Sequence, residues 1–236
     1  MSDVIPIFVI VHNQFEILKK SVESYEKYIQ TPFKIIFHDV ASTYPDTLNY
    51  LKEKKAEGHI VYRSEKNHHH TVLISIRDYI KKNPECKYCV MTDPDIELYE
   101  VNGDILEMYI HALNTLKKTS VGPMLKIDDI PNYYPKKKLV LQKHGEQFWN
   151  KPQCKLSFKN NTFNYINCET DTTFQLFSTS NMPKTFPHDN SIRFKHPYSA
   201  KHLDWYIDPN NLTECQKYYQ NNTTSISHWN NKNWNG

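Results

Sequence analysis

The chain has 236 residues, is 39% apolar and 13% aromatic, and sets 29 basic against 26 acidic residues for a formal net charge of +3. That length can bury a sizeable core in one domain, while the near-balanced charge, with no Arg/Lys stripe interleaved with aromatics, argues against a nucleic-acid binder. No run approaches the ~20 apolar residues of a membrane span.

The opening Met1-Ser2-Asp3-Val4-Ile5-Pro6 has neither the basic nor the long apolar region of a secretion signal, so a cytoplasmic protein is expected. Five scattered cysteines fit reduced thiols. Cys86 and Cys89 form a single CxxC that enters a strand. One such arm cannot make a four-ligand zinc site, and the pair is read as structural.

The first half alternates strand and helix. Residues 5–11 are an apolar β-rich run, followed by Phe15, Leu18, Val22, Tyr25 and Ile29 at amphipathic-helix spacing. Residues 33–40 form a second strand. A helix from about 45 to 57 follows, with Gly58 as its stop. A third strand at 59–62 leads to a third helix marked by Val72, Ile76, Tyr79 and Ile80. The fourth strand runs through Tyr88-Cys89-Val90-Met91-Thr92-Asp93-Pro94-Asp95-Ile96, and a fourth helix spans about 103–118. This order predicts an α/β domain with a mostly parallel central sheet, right-handed crossovers and helices on both faces.

Beyond Ser120 the alternation stops. A strand is expected at 121–127, then a Pro/Tyr/Lys loop, a polar stretch to 167, a strand at 172–177, a proline-punctuated region and an Asn-rich tail. No Gly/Ser linker divides the chain, which has only five glycines. The expectation is one domain over 1–236, with a nucleotide-binding half to about 120, an irregular acceptor-side half to about 220, and a polar tail after that.

Asp93 and Asp95 carry the chemistry. In extended backbone, side chains at i and i+2 point the same way, so the two carboxylates could meet one hard cation such as Mn2+ or Mg2+. Pro94 favours extended geometry at Asp93. Three strand–helix units precede the pair, which places it where an open α/β sheet exposes its ligand crevice. After the first strand the chain reads His12-Asn13-Gln14-Phe15, without the glycines of a dinucleotide fold or a P-loop. A diphosphate here would therefore be held by a metal rather than by a backbone cradle. The missing Gly-rich loop also disfavours a sugar nucleotidyltransferase.

Ile7-Phe8-Val9-Ile10-Val11-His12-Asn13, a second strand ending in Asp39, and Asp93-Pro94-Asp95 together resemble the family-2-type glycosyltransferases of the GT-A fold. The second half is similar to a bacterial and large-DNA-virus subgroup in the segment from Val121-Gly122-Pro123 to Asp128-Asp129-Ile130-Pro131, in Asp171-Thr172-Thr173-Phe174, and in Tyr198-Ser199-Ala200-Lys201-His202-Leu203-Asp204-Trp205-Tyr206. It departs from that subgroup at Lys201, where Arg is expected, and at Asp204, where Pro is expected.

The resemblance implies a single GT-A domain that transfers a sugar from a UDP-sugar to a glycan or other hydroxyl acceptor, in the host cytoplasm if the source is viral. By the same resemblance His12, Asn13 and Asp39 would hold the nucleoside. Asp95 would bind the metal, Asp93 would bind the metal or the ribose, and His202 would close the metal shell. An inverting transfer needs a base outside the metal pair. Asp171 is the candidate, with Glu169, Asp128 and Asp129 as competitors. Trp205 is a candidate for stacking on the acceptor sugar and Asp128 for binding it. The alternative is a catalytically idle GT-A domain that binds carbohydrate or acts as a scaffold.

Overall fold

The computed structural model describes residues 4–182, 189–223 and 229; most of the expected polar tail lies outside them. The apolar runs of the first half form β1 (Ile5–Val11), β2 (Phe33–Val40), β3 (Ile60–Ser64) and β4 (Tyr88–Thr92), separated by α1 (Phe15–Tyr28), α2 (Pro45–Ala56) and α3 (Val72–Lys82). Gly58 follows α2 at φ +99°, a left-handed conformation that an L side chain would strain. Next come β5 (Ile96–Leu98), α4 (Ile105–Thr115) and β6 (Ser120–Pro123). The second half adds α5 (Lys137–His144), β7 (Gln153–Phe158), β8 (Asn161–Asn167), β9 (Gln175–Ser178), β10 (Ile192–Phe194), β11 (Ala200–His202) and α6 (Glu214–Asn222).

Among the described residues nine strands form one sheet in the order β3-β2-β1-β4-β9-β6-β10-β8-β7. β1 pairs in parallel with both β2 and β4, and β2 with β3. β9 lies antiparallel between β4 and β6, and β10 runs parallel to β6. β8 is antiparallel to both β10 and β7. Seven strands thus point one way, with β9 and β8 reversed, so the mostly parallel mixed α/β sheet is observed. Its core is continuous from β1, where Ile7, Phe8, Val9 and Val11 are fully buried, to Phe194 on β10.

Two corrections follow. The second half is not irregular: it supplies the other half of the sheet. The expected fourth strand is also two strands. The chain turns at Pro94 and Asp95, and β5 then leaves the main sheet to pair antiparallel with β11, so that His202 lies opposite Ile96. The β7–β8 hairpin escaped the sequence reading because its exposed faces are polar and its turn is Lys159-Asn160. Both turn residues have positive φ, the geometry of a two-residue hairpin turn that is more often written Asn-Gly.

Candidate active site

Strand order reverses direction at β1, whose successor β2 lies on one side and β4 on the other. A crevice is expected outside the carboxyl ends of the strands at such a point. A cleft of about 610 Å3 lies there, bordered by His12 after β1, Val40 at the end of β2 and Asp93 after β4. On its far wall are Asp171 and Arg193, which it shares with an adjoining cavity of about 740 Å3.

At the floor, ligand atoms of Asp95, His202 and Asp204 all lie within 4.8 Å of one another. Backbone pairing sets this arrangement. The β5–β11 ribbon brings His202 beside Asp95, and the Leu203 amide donates to the Asp95 carbonyl at 2.7 Å. His202 Nδ1 is 3.3 Å from Asp95 Oδ2. Gln14, on the left-handed turn after β1, donates Nε2–H to Asp204 Oδ1 at 3.2 Å. Among the described residues no group outside the pair donates to the buried Asp95 Oδ1 or Asp204 Oδ2, and the two carboxyls face each other. Burial, and then the neighbouring Asp204 and Asp93 charges, push the Asp95 carboxyl well above the usual carboxylate range. Buried like charges of this kind fit a divalent cation.

The expected metal residues are only partly brought together. Asp93 borders the cleft but stands outside the three-residue cluster. The turn at Pro94 and Asp95 ends the extended geometry on which the i, i+2 reading depended. Asp93 instead accepts a hydrogen bond from the Thr172 hydroxyl, and its amide donates to the Thr172 carbonyl at 2.7 Å. Burial, followed by the charges of Asp171 and Asp204, raises its pKa to about 7 despite the Thr172 bond.

The expected nucleoside residues divide in the same way. His12 donates Nδ1–H to the Val40 carbonyl at 2.7 Å, which leaves Nε2 as the acceptor of the neutral ring, and burial lowers its pKa. Asn13 is fully buried and does not line the cleft. Its Oδ1 accepts from the Thr43 and Tyr44 amides at 2.8 Å each, and its own amide donates to Ser42 Oγ. Asn13 therefore fastens the β2–α2 loop. Asp39 is also buried and off the cleft wall. One of its oxygens accepts from the Ser42 amide at 2.8 Å and the other pairs with Arg63. Both nucleoside assignments are corrected on this ground, because the polar atoms that would read a nucleoside have other partners.

Asp171 sits on the wall common to the two cavities with its side chain half exposed. Its Oδ1 accepts from Arg193 Nη2 at 2.9 Å and from the Thr173 hydroxyl at 2.5 Å. Burial alone would raise its pKa, but Arg193 and Thr173 hold it below the usual range. Arg193 is itself buried, donates to the Glu169 and Pro123 carbonyls, and lies over the Phe148 ring.

Both acceptor assignments are corrected. Trp205 is fully buried and stacks on His202 at 4.8 Å between ring centroids and 7° between planes. It backs the imidazole and presents no face to the cleft. Asp128 is exposed and borders neither cavity.

No protein-family model matches the sequence, and no curated protein matches it. Among solved structures, the chain is similar to a mannosyltransferase from Pyrobaculum calidifontis in complex with GDP-Man and Mn2+, at 14% identity over 53% of this chain and 36% of that one, TM-score 0.40. It is similar to residues 1–349 of S. aureus TarS at 14% identity over 75% of this chain and 48% of that one, TM-score 0.44. GalNAc-T7 with UDP, GalNAc and Mn2+ gives 18% identity over 52% of this chain and 23% of that one, TM-score 0.40. The chain spans less than half the length of each, and the functional reading rests on the cleft's own residues.

Asp204 and Arg193 are the residues that sequence reasoning missed. Asp204 lies two positions after His202, but only the short turn of residues 203–206 carries it back into the cluster. Arg193 had a usable signal: it is one of three arginines and interrupts the apolar run of a strand. A buried guanidinium in such a place needs a carboxylate or carbonyls to pair with.

Proposed function

We propose that the protein is a metal-dependent glycosyltransferase that moves a sugar from a nucleoside diphosphate sugar, a UDP-sugar by sequence resemblance, to a hydroxyl acceptor with inversion. The observation that carries this reading is the Asp95, His202 and Asp204 cluster at the floor of the cleft at the strand switch point, where two buried carboxylate oxygens have no donor outside the pair among the described residues. These residues would hold one Mn2+ or Mg2+. The imidazole favours Mn2+, since Mg2+ prefers an all-oxygen shell. When bound, the cation supplies charge neutralisation for a departing diphosphate.

The chain's own groups do the rest. His12, Val40 and Tyr219 give the nucleoside a partly apolar wall near the ends of β1 and β2. Asp171, kept ionised by Arg193, faces both cavities and takes the proton of the acceptor hydroxyl. The acceptor oxygen bonds to the anomeric carbon as the bond from that carbon to the diphosphate breaks, and the diphosphate leaves with the electron pair. Arg193 and Thr173 fix Asp171 in place and at the same time weaken it as a base.

The test is thermal unfolding with UDP and UDP-sugars, with and without Mn2+, followed by product analysis. A ligand at ~100 times its Kd adds about 2.7 kcal/mol of stability. Absence of any Mn2+-dependent shift with every nucleotide would refute the reading. The Arg193 clamp on Asp171 favours a second reading, a domain that binds a UDP-sugar but does not turn it over. Release of UDP from a bound UDP-sugar, even by slow hydrolysis, separates the two.

A further inference from the structure

Three ligand groups converge here from elements that the protein alone holds in place. Asp95 lies at the turn between β4 and β5, His202 at the end of β11, and Asp204 in the turn that follows. Asp95 is 5% and Asp204 0% exposed, so both carboxyl groups are taken out of water during folding, not on ligand arrival. Among the described residues, Asp95 Oδ1 and Asp204 Oδ2 have no hydrogen-bond donor outside the pair. Gln14 occupies only the other oxygen of Asp204. The Leu203 amide fixes Asp95 through its carbonyl, and Trp205 fixes the plane of the His202 ring. Asp93, the other carboxylate expected to bind the metal, is tied to Thr172.

We propose that this protein binds its divalent cation without nucleotide, with Asp204 as the ligand that makes this possible. The inference rests on the reading of the cleft as a metal site. With Asp95 and His202 alone, two protein ligands would remain and a diphosphate would have to complete the shell. With Asp204, two carboxylates and one imidazole form a site before any donor arrives. The nucleotide then meets a cation already in place, with open positions toward the cleft.

The experiment uses the full chain stripped with EDTA and titrated with Mn2+ alone, read by calorimetry and by the electron paramagnetic resonance of free Mn2+. One equivalent is expected to bind with no nucleotide present. Asp204→Asn keeps the side-chain size and an acceptor for Gln14 but removes the charge. It should lose more than ~100-fold in Mn2+ affinity, beyond what loss of a supporting group outside the ligand set costs, and regain Mn2+ binding when UDP is added. Its metal-free urea midpoint should stay near that of wild type, since Gln14 keeps its acceptor. A wild-type chain that binds Mn2+ only with UDP overturns the inference and leaves the metal–nucleotide reading standing. A chain that binds no Mn2+ with or without UDP overturns that reading itself. An Asp204→Asn variant within ~100-fold of wild type removes Asp204 from the ligand set.

Discussion

A buried carboxylate acts through whatever occupies its oxygens, and by that measure the acidic residues in and behind this cleft separate clearly. Both oxygens of Asp39 are engaged, by the Ser42 amide and by Arg63. We expect Asp39→Ala to lose about 1.5–3 kcal/mol of stability, the scale of hydrogen bonds to a charged group, with UDP affinity unchanged in the folded protein. Urea unfolding beside UDP titration checks this, and a large loss of UDP affinity at full stability would return Asp39 to the nucleoside. Asp171 differs in that its hydrogen bonds all fall on Oδ1 while the side chain borders both cavities. Asp171→Asn should bind UDP-sugar normally yet transfer it ~10²–10⁴-fold more slowly, the usual cost of a lost general base. Near wild-type turnover, or a product that keeps the donor's anomeric configuration, would exclude this role. Asp95 was legible as a candidate ligand from its order in the chain. Asp204 was not, because its place in the cluster depends on a turn between residues far apart in sequence from β4.

Among the elements, the small β5–β11 ribbon matters more to the site than its length suggests. It holds Asp95 and His202 in register, and Trp205 packs behind it against His202, His144 and Trp229. Trp205→Ala should therefore cost about 3–5 kcal/mol, the range for emptying a buried Trp site, and should weaken Mn2+ binding in whatever fraction stays folded. A variant with wild-type unfolding and wild-type Mn2+ affinity would remove Trp205 from its supporting role. The strands and helices of the first half were legible because apolar period and chain order agree there: β1, β2 and β4 are buried runs separated by amphipathic helices. The second half was not, for an equally physical reason. β6, β9, β10 and β11 are three or four residues long, too short to show a period. Such strands take their conformation from neighbours across the sheet, which a local window does not contain.

At the scale of the whole molecule, the charge buried in the cleft sets how stability responds to pH. Asp93 and Asp95 have pKa values raised by burial and by neighbouring carboxylates. The folded state therefore holds protons that the unfolded state has released above about pH 4, and these two groups make stability fall as pH rises toward their folded values. His12 and His38 act in the opposite sense. Burial lowers both, His38 to about 4, so they add stability as pH climbs to the unfolded histidine value of about 6.5. Above that point the unfolded histidines are more than half deprotonated and their contribution fades, while the unfolded cysteines, near 8.5, have scarcely begun. Between about pH 6.5 and 7.5 the raised carboxyls should then dominate. We expect the EDTA-treated protein to lose stability across that interval. We expect the Mn2+-bound protein to lose less, so that the stabilisation by Mn2+ grows with pH as cation replaces proton at Asp95. Urea denaturation at the two pH values, with EDTA and with Mn2+, measures both slopes. A metal-free protein that gains stability over this interval, or an Mn2+ effect that shrinks with rising pH, would mean that Asp93 and Asp95 do not hold the protons that burial gives them.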